Sequence, residues 1–216
     1  MSYDAERAAQ GQVPLVVVIG KRGTGKTRWM RDYISRHVTQ TDFLVCDPEA
    51  QYRAEDFHGR ATNVSASRFQ WVKRTAPGWV YLFRDADGET VARIALHMGH
   101  CAVVLDEADA DYGKQGHWID KESALWKLVN RGRQHFVGAY VLFRRPVDVS
   151  RTSTANASAA VICYVQEQRD LQWIEENWGK DAATLVRRLP PPSAKSVTVV
   201  MLNLNGPHKP TLHTVW

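Results

Sequence analysis

Short apolar runs alternate with longer amphipathic stretches along this chain. Leu15–Ile19 is an unbroken run of leucine, valine and isoleucine, which predicts a strand buried on both faces. A glycine-rich loop follows, then Lys26–His37, whose periodicity predicts a helix, then a second strand at Phe43–Cys46. Trp79–Phe83 and Thr90–Leu96 flank Asp85-Ala86-Asp87-Gly88, and the Asp-Gly ending predicts a hairpin between them. Further on come a strand at Ala102–Leu105, a polar loop, and a helix over Ser123–Arg131. Strands at Val137–Phe143 and Ala160–Tyr164 precede a helix at Glu167–Trp178, stopped by Gly179. Leu189–Pro192 stops a further short helix. Val197–Leu202 and Thr211–Val215, joined through Asn205-Gly206-Pro207, predict a terminal hairpin.

Strands that alternate with helices predict an α/β fold: a mostly parallel sheet flanked by helices, with a C-terminal β-hairpin. The 216 residues read as one domain, with residues 1–12 a peripheral segment. Ligands of such sheets bind at the carboxyl ends of the strands, and the motifs below are expected there.

Composition narrows the class. Hydrophobic residues make up 44% and charged residues 24%, the balance of an ordinary globular protein. No apolar run is long enough for a membrane span, and Met1–Gln12 lacks the basic flank and apolar core of a secretory signal. Cys46, Cys101 and Cys163 lie in or beside apolar strands and read as buried free thiols of a reducing compartment. A net charge of +5 fits a polyanion-binding protein without requiring one.

The chemistry sits first in Gly20-Lys21-Arg22-Gly23-Thr24-Gly25-Lys26-Thr27, a full GxxxxGK[ST] pattern between a buried strand and a helix. A triphosphate needs convergent donors. Glycines at 20, 23 and 25 let the backbone N–H groups curl inward, and the positive end of the helix beginning near Lys26 adds to them. Lys26 is expected to reach the β- and γ-phosphates and Thr27 to offer its hydroxyl oxygen to Mg²⁺. Lys21, Arg22 and Arg28 complete the nucleotide-binding candidates. The second element is Ala102-Val103-Val104-Leu105-Asp106-Glu107, a buried strand that ends in two acids. Asp106 is the expected second ligand of the Mg²⁺ shell, and Glu107, one step on, can take a proton from an attacking water. Together these predict an enzyme that binds a nucleoside triphosphate with Mg²⁺ and hydrolyses it; ATP is the expected substrate, although no motif reads the base.

The GKRGTGKT loop, the LDEAD stretch and NRGRQHFVGAYVLFRRP (Asn130–Pro146), followed by Asp148 and Asn156, resemble the FtsK–HerA superfamily of DNA-pumping ATPases. The short single-domain form is similar to genome-packaging ATPases of membrane-containing icosahedral viruses, over most of residues 13–180. The resemblance implies a RecA-like ATPase that works as a homo-oligomeric ring, commonly a hexamer, on double-stranded DNA. Viral capsid or portal-vertex proteins are further implied partners, and the location is the host cytoplasm or the virion. It also implies a strand between the P-loop strand and the strand of Asp106, with a polar sensor, usually glutamine, at its carboxyl end. Val137–Phe143 fits that strand, but Arg144 follows it, so the sensor is Arg144 itself, its neighbour Arg145, or absent. A neighbouring subunit's arginine completes the site in that family, a contribution of roughly 10³ to 10⁵ in rate. Arg131 and Arg133 are the candidates, against a plain role compensating a helix dipole.

Other features weigh less. His97-Met98-Gly99-His100-Cys101 lacks a second ligand pair at zinc-finger spacing. Trp29, Trp126 and Trp173 fall in helical periodicity and are expected in packing. Residues 109–121, with Gly113, Lys114, Gly116, His117 and Trp118, suit either a mobile loop on a DNA backbone or a solvated connector. Rival functions are conjugative transfer or filamentous-phage extrusion, a small-metabolite kinase, and a nucleotide-gated switch with little turnover.

Overall fold

The computed structural model describes residues 13–70, 78–106, 108, 120–149, 151–206 and 209–216. Its strands are β1 (Leu15–Ile19), β2 (Asp42–Cys46), β3 (Ala61–Val64), β4 (Val80–Phe83), β5 (Cys101–Leu105), β6 (Val137–Phe143), β7 (Ala159–Ile162), β8 (Val197–Asn203) and β9 (Thr211–Val215). Its helices are α1 (Lys26–His37), α2 (Gly88–Met98), α3 (Ala124–Arg131), α4 (Arg151–Asn156), α5 (Gln168–Trp178) and α6 (Lys180–Arg187). One sheet runs in the order β3-β4-β2-β5-β6-β1-β7-β8-β9. It is parallel from β3 to β7, and β8 and β9 add antiparallel at the far edge as the expected hairpin.

Both faces of the inner sheet are covered because β1, β5 and β6 are apolar at every position. In β1, Leu15, Val17 and Ile19 point to one core, with α2, α3, α5 and α6, whose inward residues include Val91, Leu128, Ile174 and Val186. Val16 and Val18 point to the other, with Trp29, Met30 and Ile34 of α1 and with Tyr52 and Phe57. Trp29 is buried. Trp173 meets Trp178 edge to face at 5.0 Å. Trp126 is half-buried beneath the Arg131 guanidinium, 5.3 Å from the ring centroid.

One sequence expectation fails. Thr90–Leu96 is not a strand of a hairpin but part of α2. Asp87 forms no turn of a hairpin; its side chain accepts from the Thr90 N–H at 2.8 Å and starts the helix. Val91, Ala92, Ala95 and Met98 then face the core at helical spacing. Thr90, Val91 and Ile94 carry strand propensity, but the cap and the buried stripe outweigh it. β3 and α4 carry no strong pattern and had no counterpart in the sequence reading. β3 is a half-exposed edge strand of four residues.

β6 lies between β1 and β5, in the place expected for the sensor strand. The parallel order brings Gly20, Asp47, Asp106 and Arg144, which follow β1, β2, β5 and β6, to one end of the sheet. Arg131 and Arg133 do not join them. α3 runs back across the sheet and delivers both to the amino ends of β1 and β6, around Pro14, Leu15 and Val137.

Candidate functional site

β1 ends where the chain must turn tightly against two neighbours. The Gly20 N–H donates to the Phe143 carbonyl at 3.1 Å. A Cβ on Gly20 would stand 2.5 Å from Thr24 Oγ1 and 2.7 Å from Cys163 Cβ, so only glycine fits. Thr24 closes the loop by donating its hydroxyl to the Lys21 carbonyl at 2.7 Å. Gly25 has φ 99°, a left-handed conformation that glycine adopts freely, and α1 starts directly after it. The Lys26 ammonium is buried in the loop and donates to the carbonyls of Gly20 at 2.6 Å and Lys21 at 3.3 Å.

Thr27, on the first turn of α1, joins the loop to the end of β5. Its hydroxyl lies 3.1 Å from Asp106 Oδ2 and 3.0 Å from Gln51 Oε1. The buried Tyr52 hydroxyl donates to the same Asp106 oxygen at 3.0 Å. Gln51 and Tyr52 are held in turn by the buried carboxylate of Asp47, which accepts their N–H groups at 2.7 and 3.1 Å. Burial pushes the Asp47 carboxyl above its ordinary range despite those donors and the nearby Arg84. Burial, followed by the charge of Asp106, pushes the Tyr52 hydroxyl well above its ordinary value and keeps it a donor. Burial also drives the Cys163 thiol, behind the loop, up to about 12.

Hard oxygen donors with one carboxylate suit Mg²⁺, which keeps waters and takes phosphate oxygens instead of a full protein cage. Thr27 Oγ1 and Asp106 meet that requirement. Among the described residues no group of three or more His, Cys, Asp or Glu side chains stands ready to hold a metal.

The basic residues around the loop divide by role. Lys21 is ion-paired with Glu167, the residue before α5. Arg145 shares Glu167 at 2.7 Å and also reaches the buried Asp170 at 3.2 Å. The hydrogen bond from Lys21, against the burial that opposes it, holds the Glu167 carboxyl below its ordinary range, and Arg145 adds to the effect. Arg22 is exposed, 3.9 Å from Glu49. Arg28 turns to the far side of the cleft, onto the carbonyls of Ser193, Ala194 and Lys195. Arg144 stands half-buried directly after β6, one strand from Gly20. Glu107 and residues 109–119 lie outside the described residues. Arg131 and Arg133, at the opposite end of the sheet, stay away from the cleft of their own chain.

These groups border an open cleft of about 690 Å³, lined by Arg22, Gly23, Gly25–Arg28, Glu49, Gln51 and Asp106 on one side and by Pro192, Ser193, Ala194 and Val197 on the other. Sequence reasoning missed Gln51, Tyr52 and the 192–197 wall. An Asp-Pro step directly after the apolar β2 was the available signal for the first two. Nothing in residues 192–197 announces a ligand. Among the described residues no helix is long and apolar enough to cross a membrane.

No protein-family model matches the chain, nor does any curated protein sequence. Solved structures do. The genome-packaging NTPase B204 of Sulfolobus turreted icosahedral virus 2, in complex with AMPPCP, superposes with a TM-score of 0.67 at 16% identity, over 93% of this chain and 97% of that one. VirB4 of Thermoanaerobacter pseudethanolicus matches with a TM-score of 0.55 at 12% identity, over 85% of each chain. The pCW3 conjugation coupling protein TcpA matches with a TM-score of 0.55 at 12% identity, over 88% of this chain and 57% of that one. The chain shares the fold of these proteins, and its own sheet is mostly parallel, flanked by helices, with the Gly20–Thr27 loop directly after the interior strand β1.

Proposed function

We propose that this protein is an ATP-hydrolysing motor that moves double-stranded DNA through a homo-oligomeric ring, as the packaging ATPase of a virus. One observation carries the reading: Thr27 of the phosphate loop and Asp106 at the end of β5 are 3.1 Å apart at the rim of an open cleft. The two segments on which a magnesium triphosphate depends therefore share one site. The fold held in common with a packaging NTPase solved with a nucleotide analogue supports the same reading.

In this proposal the Gly20–Thr27 backbone and Lys26 hold the phosphates, and Thr27 and Asp106 hold Mg²⁺. That ion would draw charge from the phosphates as it builds in the transition state. Glu107 takes the proton of the attacking water, and Arg144 reads the end of the triphosphate from the neighbouring strand. Arg131 or Arg133 reaches the cleft of the next copy in the ring. Capsid or portal-vertex proteins are the docking partners, and the motor works in the host cytoplasm or on the virion. The similarity to VirB4 and TcpA supports a second reading, DNA transfer in conjugation, with the same site chemistry.

The test is phosphate release with and without duplex DNA at low salt, together with the mass of the assembly. DNA contact that ignores sequence is expected to stimulate release and to fade as salt rises. An assembled ring whose ATPase rate ignores duplex DNA would end the motor reading. Glu107→Gln separates hydrolase from kinase: the hydrolase binds ATP and stalls, whereas a kinase keeps most of its transfer rate.

A further inference from the structure

The four residues of the far wall that line the cleft, Pro192, Ser193, Ala194 and Val197, present no uncommitted side-chain donor or acceptor, and the exposed Lys195 of the same turn is not among them. They line the same opening as the phosphate loop. The Ser193 hydroxyl is spent within its own turn, where it accepts the N–H groups of Lys195 at 3.2 Å and Ser196 at 3.0 Å. Arg28 is spent as well. Its Nη1 donates to the carbonyls of Ser193 at 3.3 Å and Ala194 at 3.0 Å, and its Nη2 to that of Lys195 at 2.7 Å. Its charge therefore fixes the wall and is not offered to the ligand. Val197, the first residue of β8, locks the wall to the loop from below. A Cβ on Gly25 would lie 2.5 Å from Val197 Cγ2, so the Val197 side chain packs on the loop backbone as closely as glycine allows.

The wall stands beyond the loop from Asp106, across the cleft from Gln51 and Glu49. A triphosphate seated on the loop beside Asp106 puts its nucleoside on this side. Among the described residues that border the wall, the surface presented is a proline ring, a methyl group, an isopropyl group and backbone.

We infer that Pro192–Val197, held by Arg28, is the nucleoside subsite, and that it accepts the ribose and base of any nucleoside triphosphate by contact alone without reading base identity. This rests on the phosphate-loop reading above. The magnitudes decide what to expect. A site that hydrogen-bonds a ligand group rejects analogues lacking it by about 10⁴-fold or more, whereas an apolar wall discriminates by at most about 10²-fold. Purine and pyrimidine triphosphates should bind this wall with similar strength.

The experiment is calorimetric titration of the full chain with ATP, GTP, CTP and inorganic tripolyphosphate, each with Mg²⁺, for wild type, Ala194→Trp, Arg28→Ala and Lys26→Ala. Ala194 is exposed on its turn, so the tryptophan fills the subsite without entering the core. Expected for wild type are Kd values for the three nucleotides within about tenfold of one another. Ala194→Trp should raise all three by about tenfold or more while the Kd for tripolyphosphate stays within about twofold. Arg28→Ala should shift them in the same direction by releasing the wall. A preference of more than about 10²-fold for one base overturns the inference. So does an Ala194→Trp variant that weakens tripolyphosphate as much as ATP, or that weakens neither. Tripolyphosphate that binds wild type and is lost in Lys26→Ala keeps the phosphate reading standing even then. Tripolyphosphate that never binds removes both.

Discussion

Tyr52→Phe removes one oxygen from the interior and leaves the ring in place. The hydroxyl is fully buried, is 3.0 Å from Asp106 Oδ2, and shares that oxygen with Thr27. Asp106 is itself 3% exposed, so no bulk water stands ready to replace the lost donor. A hydrogen bond to a charged group contributes about 1.5–3 kcal/mol, and relaxation toward Thr27 recovers part of it. We therefore expect a fall in unfolding free energy of about 1–2 kcal/mol, small enough to leave the fold intact. The functional effect should be larger and of a different kind. Tyr52 holds the carboxylate proposed to face Mg²⁺, and loss of such a supporting hydrogen bond typically weakens metal affinity or activity by about 10- to 100-fold. The assay is ATP hydrolysis as a function of Mg²⁺ at saturating nucleotide, beside binding of metal-free ATP by calorimetry. The half-saturating Mg²⁺ should rise about tenfold or more while metal-free ATP binds as before. Unchanged half-saturation would refute the reasoning. So would an equal loss of metal-free binding, which would point to a distorted phosphate loop.

Glu89→Ala should lower stability by about 1–2 kcal/mol in denaturant titration, because Glu89 on α2 caps the start of α3 through the N–H groups of Ala124 and Leu125 and the hydroxyl of Ser123. Burial opposes these donors, yet together they hold the Glu89 carboxyl below its ordinary range. Its contribution is thus full above that range and is lost as pH falls through the depressed value; Glu89→Gln should flatten this acid limb. Gly25→Ala should destabilise by about 2–4 kcal/mol, from the left-handed backbone and the clash with Val197. The double variant with Val197→Ala should recover the steric part, and simple additivity of the two losses would refute the close approach. The native protein at pH 8 should react with a thiol reagent at none of its three cysteines until denatured. All are buried, and burial pushes Cys101 and Cys163 up to about 12. A fast-reacting thiol in the folded state would count against the packing of β2, β5 or β7.

What could be read from the sequence follows a physical division. β1, β5 and β6 are apolar at every position, and the phosphate loop is a local backbone pattern, so each is visible in a few consecutive residues. The parallel character of the sheet follows from the alternation of strand and helix, whereas its strand order does not. α2 was misread because its cap and its buried stripe compete with three β-branched residues in one short window. Gln51 and Tyr52 went unseen because their meaning is not local: Tyr52 acquires a role only when folding carries Asp106, 54 positions away, onto its hydroxyl. The location of Arg131 and Arg133 likewise depends on the direction in which α3 crosses the sheet, which periodicity does not encode.

The clasp of Arg28 on Ser193, Ala194 and Lys195 spans 165 to 167 positions along the chain. Contacts of such separation form late, since the entropy of closing so large a loop must be met before they contribute anything. Residues 20–27 can curl and β1, β5 and β6 can pair while the ribosome is still making the final strands. On the proposed reading, a nascent or prematurely terminated chain would then display the phosphate loop without the Pro192–Val197 turn and should hold nucleotide weakly. Late arrival of that single turn would thereby delay full nucleotide binding until β8 has been made.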